Sequence, residues 1–324
     1  MVDFSSLAEK SLSGAALSAT EATAVMHTQD DCLPGLLRAA LIVREQFFGR
    51  KVKICVLQNA RSGLCPEDCH YCSQSAISTA SINKYRLLST EELIAGARKA
   101  SAAGARRYCM VTSGRGPSDR DIEHLSTATR AIKQECPSLE ICLSLGLMSE
   151  AQARQLKDAG VGWINHNLNT SRRFYPAICT THTYDDRIET VQNVKRAGLA
   201  TCSGGIVGMG ETDDDIIELA FATRRLGIDS IPVNFLYPVP GTPLGERRNF
   251  APTRGLKTLC LMRFLNPRSE IRMAAGRELY LGNWGGLALY PVNSIFVAGY
   301  LTTPGQHATV AQQLVEEAGF EVER

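Results

Sequence analysis

The chain has 324 residues, of which 44% are hydrophobic and 21% charged, and its formal net charge is +2. This composition supports a full hydrophobic core and excludes a disordered chain, and the near-neutral charge excludes an electrostatic footprint for nucleic acid or an anionic membrane. No apolar run approaches the roughly 18 residues of a membrane span, and the first residues lack the basic and apolar regions typical of a signal peptide, so we expect a cytoplasmic protein.

Strands and helices are predicted to alternate along most of the chain. A helical stretch at about 16–48 comes first, and the predicted strands follow at about 52–58, 107–112, 139–145, 161–168, 201–207, 230–236, 270–274 and 293–297. Helices are predicted between them at about 89–104, 119–136, 149–160, 183–198 and 212–226. Such alternation implies parallel strands with right-handed crossovers.

Eight strand–helix units predict an α/β fold, a (β/α)8 TIM-type barrel with an N-terminal helical extension, whose chemistry lies at the C-terminal ends of the strands. A doubly wound open sheet is the structural alternative. We divide the chain into a helical extension at 1–50, a barrel at 51–305 and a C-terminal tail at 306–324.

Three cysteines, Cys65, Cys69 and Cys72, lie in the loop after the first predicted strand with the spacing C-x3-C-x2-C. Three thiolates can hold three irons of a [4Fe-4S] cluster and leave the fourth iron open to a small molecule. A zinc site or inert cysteines are the alternatives, whereas an odd count of eleven cysteines without a secretory signal argues against disulfides. With Tyr71 before the last cysteine, the loop resembles the signature of the radical S-adenosylmethionine (SAM) superfamily, in which reductive cleavage of SAM releases a 5′-deoxyadenosyl radical.

Four further residues, Cys109, Cys142, Cys202 and Arg272, lie on different predicted strands. Buried cysteine often packs as a small hydrophobe, which is our interpretation of Cys55. A strand-borne arginine is harder to explain by packing, because a buried charge needs an anionic partner. Either these residues are core, or three thiolates and a guanidinium surround a second iron–sulfur cluster.

Two segments, Asn-His-Asn-Leu at 165–168 and Cys-Ser-Gly-Gly-Ile at 202–206, are far more specific than the cysteine loop. With these segments and those at 61–69, 113–120, 184–187, 241–244 and 293–296, the chain resembles the biotin synthase family from about Gln58 to Gly305. The resemblance implies conversion of dethiobiotin to biotin by sulfur insertion, a homodimer of barrels and a sacrificial [2Fe-2S] cluster deep in each barrel.

The resemblance also implies roles for individual residues. The [4Fe-4S] ligands would be Cys65, Cys69 and Cys72, and the [2Fe-2S] ligands Cys109, Cys142, Cys202 and Arg272; of these, the loop cysteines, Cys202 and Arg272 would be catalytic. The SAM contacts would be Tyr71, Asn167, Asn169, Arg187 and Ile206. The dethiobiotin contacts would be Asn165, Asn167, Asn234, Thr302 and Thr303, with Arg61 as a weaker candidate. Asn169 departs from well-known members, in which aspartate can occupy this position.

An electron donor such as flavodoxin or ferredoxin and the iron–sulfur assembly machinery are the implied partners. Three alternatives compete: another radical SAM enzyme of this barrel type, such as a hydrogenase-maturation or methylornithine-type relative; an iron–sulfur redox protein without catalysis; and a zinc-stabilised binding protein. Four cysteines outside these sets are interpreted as incidental: Cys32, Cys136, Cys179 and Cys260.

Overall fold

A closed parallel barrel forms the centre of the protein in the computed structural model, which describes residues 3–248 and 250–323. Its strands are β1 (Lys51–Arg61), β2 (Arg107–Thr112), β3 (Glu140–Ser144), β4 (Trp163–Asn165), β5 (Ala200–Cys202), β6 (Gly205–Val207), β7 (Ser230–Phe235), β8 (Glu270–Met273) and β9 (Ser294–Val297). β5 and β6 both pair with β7 and together form one interrupted strand. β9 pairs with β1, which closes a barrel of eight strands when β5 and β6 are counted as one. The predicted (β/α)8 barrel is therefore confirmed.

Helices surround the barrel and begin largely where the sequence predicts. They are α1 (Phe4–Leu12), α2 (Ala19–Met26), α3 (Leu33–Phe48), α4 (Thr90–Ala102), α5 (Asp119–Glu135), α6 (Glu150–Asp158), α7 (Tyr184–Arg196), α8 (Asp213–Leu226), α9 (Pro252–Leu265), α10 (Arg277–Tyr280), α11 (Gly285–Ala288) and α12 (Ala308–Glu317). The predicted capping box at α4 is present: Glu92 N–H donates to Ser89 Oγ at 3.2 Å, and Ser89 N–H donates to Glu92 Oε2 at 2.8 Å. Among the described residues, no helix is long and apolar enough to cross a bilayer.

Several parts of the chain differ from the sequence-based expectation, which did not include α1, α10 or α11. The predicted helix at 16–48 is divided into α2 and α3 by a 3-10 turn at Asp30–Cys32, and Pro34 lies in the first turn of α3, where proline is tolerated. α9 was not predicted, because it is buried on nearly every side and shows no amphipathic period. The segment 306–324 contains α12 and β10 (Glu321–Val322), which pairs with the start of β1.

The N-terminal helices are attached to the barrel rather than separate from it. α1, α2 and α3 all pack on α9, and Ser11 Oγ donates to the carbonyl of Phe264 at 2.8 Å. From α3, the buried Arg44 donates to the carbonyls of Val292 at 3.1 Å and Lys51 at 2.8 Å. These bonds tie the extension to the N-terminal ends of β1 and β9.

The barrel interior is layered because alternate residues of a strand point to the same side. Arg107, near the amino end of β2, donates to Glu270 of β8 at 3.0 and 3.1 Å and to Glu140 of β3 at 2.8 Å. Lys53 Nζ lies 3.5 Å from Glu270 and 3.2 Å from Glu140. This charged layer closes the amino-terminal end, and the residues two positions further along the same strands form the next layer: Cys55, Cys109, Cys142 and Arg272.

Candidate active site

A cavity of about 350 Å³ lies at the C-terminal ends of the barrel strands. Most of the predicted site residues line it: Cys65, Cys69, Tyr71, Cys72, Cys109, Cys142, Asn165, Asn167, Asn169, Arg187, Ile206, Asn234, Arg272, Thr302 and Thr303. The cavity therefore connects the cysteine loop with the cysteine layer inside the barrel. Cys202 lies behind this wall, and Arg61 is not part of it.

The cysteine loop between β1 and α4 is held against the loop between β4 and α7. The backbone N–H of His70 donates to the carbonyl of Ile178 at 2.9 Å, and the carboxylate of Asp68 accepts from the N–H of Thr180 at 2.9 Å. Burial raises the pKa of Cys72 to about 11, so this thiol is protonated until a metal replaces the proton. A set of three thiols around one cavity mouth is the soft donor set that an iron–sulfur cluster needs.

Arg187 lies at the side of the cavity next to this loop. Its guanidinium donates to the hydroxyl of Tyr175, to the carbonyl of Asn167 at 2.8 Å and to Nε2 of His182 at 2.7 Å. A guanidinium has five N–H donors, so donors remain for an anionic ligand. The arginine is fixed in place by its neighbours and still able to pair with a carboxylate.

The asparagines at the end of β4 and just after it are held by hydrogen bonds among themselves, to β5 and to the backbone between β5 and β6. Asn165 Nδ2 donates to Asn167 Oδ1 at 3.1 Å and to Cys202 Sγ at 3.2 Å, and Asn167 Oδ1 also accepts from the N–H of Gly204 at 3.0 Å. Asn169 adopts a left-handed backbone conformation with φ of 71°, which asparagine tolerates better than most residues, and its Nδ2 donates to the hydroxyl of Tyr71 at 2.6 Å. The amides are thereby oriented before any ligand binds.

Inside the barrel, strand register brings the predicted second set of ligands together. Cys109 pairs directly with Cys142 across β2 and β3, and Arg272 Nη1 lies 3.6 Å from Cys202 Sγ. Hydrogen bonding from the Cys142 thiol and the positive charge of Arg272 lower the pKa of Cys202, against the opposing effect of burial. This arrangement combines a stabilised thiolate with a guanidinium in a dry interior.

Arg272 is fully buried and has the anionic partner that its burial requires. The carboxylate of Glu270, two residues earlier on β8, accepts from Arg272, while Ser294 Oγ and Ser230 Oγ each accept from it at 3.1 Å. Burial alone would raise the pKa of Glu270, but Arg272 and Arg107 outweigh this effect and lower it. These hydrogen bonds orient the guanidinium from the amino-terminal side of the barrel, so that Nη1 points towards Cys202.

The remaining predicted substrate contacts divide into two groups. Asn234 Nδ2 donates to the carbonyl of Gly205 at 3.2 Å, and Thr302 Oγ1 lies 2.6 Å from Ser73 Oγ, so β7 and the loop after β9 both present polar groups to the cavity. Arg61 instead forms an ion pair with Asp121 at 3.1 Å and donates to the carbonyl of Ser113 at 2.8 Å. These bonds hold Arg61 beside Ser113, which lines the cavity, while Arg61 itself is not among the lining residues.

Sequence comparison decides the family. The family model of the radical SAM superfamily matches residues 61–222, and that of the Biotin and Thiamin Synthesis associated domain matches residues 232–321. The chain is 50% identical to biotin synthase 2 of Frankia casuarinae over 98% of this chain and 88% of that protein. It is 48% identical to biotin synthase of Bacillus subtilis over 98% of this chain and 94% of that protein.

The chain belongs to the biotin synthase family. Solved structures agree on the fold: methylornithine synthase superposes with a TM-score of 0.85 at 20% identity, covering 98% of this chain and 97% of that one. The FeFe-hydrogenase maturase of Carboxydothermus hydrogenoformans superposes with a TM-score of 0.81 at 18% identity, covering 99% of this chain and 79% of that one. At such identities these neighbours show the barrel alone, whereas the biotin synthase relatives are about half identical over nearly the full length of this chain.

Several residues in or next to the candidate active site were not identified from the sequence. Cys179, interpreted as incidental, lies with its Sγ 3.8 Å from that of Cys69 and 3.3 Å from Nδ1 of His182, which in turn bonds to the carboxylate of Glu67. The Cys-x2-His spacing at 179–182 was an available signal. Glu270 was missed as well, although its position two residues before Arg272 on one strand places both side chains on the same side.

Proposed function

We propose that the protein inserts sulfur into dethiobiotin to form biotin as a radical SAM enzyme. One observation carries the proposal: a single cavity is lined both by the three-cysteine loop and by Cys109, Cys142 and Arg272 of the barrel interior. A redox carrier needs no such cavity, and a zinc-stabilised binding protein needs no second set of thiols. The identity of about half the residues with biotin synthases supports the same reaction.

The two thiol sets would hold two different cofactors. Cys65, Cys69 and Cys72 would hold a [4Fe-4S] cluster, which with SAM supplies a 5′-deoxyadenosyl radical for hydrogen abstraction. Cys109, Cys142, Cys202 and Arg272 would hold a [2Fe-2S] cluster, which supplies the sulfur. The lowered pKa of Cys202 supports this second assignment, because a thiolate is the form that binds iron.

The chain's own contribution is to bind, orient and exclude water. Arg187, with donors to spare, would pair with the carboxylate of SAM, Asn167 and Asn169 would bind its ribose, and Ile206 would pack on its adenine. Tyr71 would steady Asn169 through the bond between the phenol and the amide. These contacts would place SAM between the cysteine loop and the barrel interior.

The dethiobiotin contacts are proposed to be the amides of Asn165 and Asn234, supported by Asn167, and the hydroxyls of Thr302 and Thr303. Amides and hydroxyls suit the neutral ureido group because they donate and accept hydrogen bonds without adding charge. Asn165 also touches Cys202 Sγ at 3.2 Å, so a substrate held by this amide would lie next to the proposed sulfur source.

The proposal is tested by anaerobic reconstitution with iron and sulfide, followed by incubation with SAM, a reductant and dethiobiotin. Mass spectrometry should detect both biotin and 5′-deoxyadenosine. Formation of 5′-deoxyadenosine without biotin would indicate another radical SAM reaction. A reconstituted protein lacking iron and acid-labile sulfide would exclude both clusters.

The proposed contact between Asn169 and the ribose of SAM predicts a modest change in SAM affinity when this residue is replaced. A charge-assisted hydrogen bond exceeds a neutral one by about 1 kcal/mol, which corresponds to roughly fivefold in affinity. We therefore expect Asn169→Asp to hold or tighten SAM binding up to about fivefold and Asn169→Ala to weaken it clearly. Anaerobic titration of the reconstituted protein with SAM measures this, and unchanged affinity in Asn169→Ala would exclude a ribose contact.

The family resemblance also supports a homodimer, reduction by flavodoxin or ferredoxin, and loading by the iron–sulfur assembly machinery. Sedimentation equilibrium measures the oligomeric state, and the rate of biotin formation with purified flavodoxin or ferredoxin identifies the electron donor.

A further inference from the structure

A compact group of metal-binding side chains lies beside the cysteine loop. The group consists of Cys69, Cys179 and His182, which are all buried and whose ligand atoms all lie within 4.8 Å of one another. The two Sγ atoms are 3.8 Å apart, and Cys179 Sγ lies 3.3 Å from Nδ1 and 3.8 Å from Nε2 of His182.

The sulfur–sulfur separation and the separations between Cys179 Sγ and the two ring nitrogens are close to the edges of a tetrahedral coordination shell. With Zn–S bonds of about 2.3 Å and Zn–N bonds of about 2.05 Å, the sulfur–sulfur edge is about 3.8 Å and the sulfur–nitrogen edge about 3.6 Å. Two thiols and an imidazole are also the donors that Zn²⁺ prefers in proteins. The group therefore needs little movement to bind such an ion.

The turn that carries Cys179 is fixed in place by the cysteine loop. Asp68 accepts hydrogen bonds from the backbone N–H groups of Thr180 at 2.9 Å and Thr181 at 3.2 Å. Glu67 Oε2 accepts from Thr181 Oγ1 at 2.5 Å. Because both segments are tied together by these bonds, the sulfur–sulfur distance is set by the fold.

The surrounding groups orient the imidazole. Arg187 donates to Nε2 of His182, so Nδ1 carries the proton and donates to the carboxylate of Glu67. A carboxylate on the second ring nitrogen is the usual partner of a metal-binding histidine. A metal at Nε2 would replace one contact of Arg187, which would keep its bonds to Tyr175 and Asn167.

We propose that Cys69, Cys179 and His182 bind a divalent thiophilic cation such as Zn²⁺ when the cysteine loop carries no iron–sulfur cluster. Cys69 belongs to both donor sets, so the cation and the proposed [4Fe-4S] cluster exclude each other. The site would hold the loop in a folded, metal-bound state before the cluster is loaded. This inference does not depend on the reaction that the loaded protein catalyses.

The test uses the cluster-free full-length chain under reducing, anaerobic conditions with Co²⁺ as a spectroscopic probe. We expect thiolate-to-cobalt absorption and the visible bands of tetrahedral Co²⁺, both removed by an equivalent of Zn²⁺. Cys179→Ala should weaken this binding by more than roughly tenfold, because the ion loses one of its three protein ligands. Cys136→Ala, at a half-buried cysteine at the end of α5, is the matched control and should bind as the parent does.

A second pair of variants separates this site from the other cysteines. Cys65→Ala should retain the tetrahedral Co²⁺ spectrum, whereas His182→Gln should lose it with the far-ultraviolet circular dichroism unchanged. Parental Co²⁺ affinity in Cys179→Ala, or loss of the spectrum in Cys65→Ala with His182→Gln unaffected, would overturn the proposal and assign the binding to the loop cysteines alone.

Discussion

Replacing Cys69 by alanine is expected to abolish SAM cleavage, whereas replacing Cys202 by alanine is expected to abolish only biotin formation. Cys69 lies in the loop at the cavity mouth, and without it the proposed [4Fe-4S] cluster keeps two of its three thiolates. Cys202 is buried in the barrel interior beside Arg272, where it would hold the sulfur source and not the SAM-cleaving cluster. The two losses should therefore be separable.

The measurement is the amount of 5′-deoxyadenosine and of biotin formed by each reconstituted variant, together with its iron content. Cys69→Ala should form neither product. Cys202→Ala should incorporate a [4Fe-4S] cluster and form no biotin. Cys32→Ala, at a half-buried cysteine before α3, is the control and should match the parent. Biotin formation at the parental rate in Cys202→Ala would show that the second cluster does not depend on this thiol.

Local signals predicted the barrel well. The capping residues Ser89 and Thr183 mark the starts of α4 and α7, and the alternation of strand and helix predicts the parallel order. α9 escaped because its sides are almost uniformly buried. A helix with no polar face has no period to detect.

The site was predictable where spacing along one strand or loop reveals it, as in the cysteine loop. Contacts between distant segments were not predictable in this way. Arg107 meets Glu270 across 163 positions of sequence, and Cys69 meets Cys179 across 110. Neither partner has a local pattern that specifies the other, since the pairing depends on how the closed barrel and its loops are packed.

Replacing Arg272 by methionine is expected to leave the protein folded and to change the [2Fe-2S] spectra. Breaking a buried ion pair costs about 3–5 kcal/mol when it leaves a charge without a partner. Here Glu270 keeps Arg107 at 3.0 Å and Lys53 at 3.5 Å, so the loss should lie near the lower end, at about 3 kcal/mol. Urea unfolding of the parent and of Arg272→Met measures this difference in the free energy of unfolding.

Arg107→Met is the matched variant, because it removes another cation from the same carboxylate. It should destabilise the fold by a similar amount, since Glu270 would keep Arg272 and Lys53. It should leave the [2Fe-2S] Mössbauer and visible spectra nearly unchanged, because the contact to Cys202 Sγ at 3.6 Å comes from Arg272. Equal spectra in the parent and Arg272→Met would remove Arg272 from the coordination sphere and leave it as the counter-ion of Glu270. Both variants remove a cation from Glu270. A spectral change seen in Arg272→Met and not in Arg107→Met would therefore place the Arg272 guanidinium at the cluster.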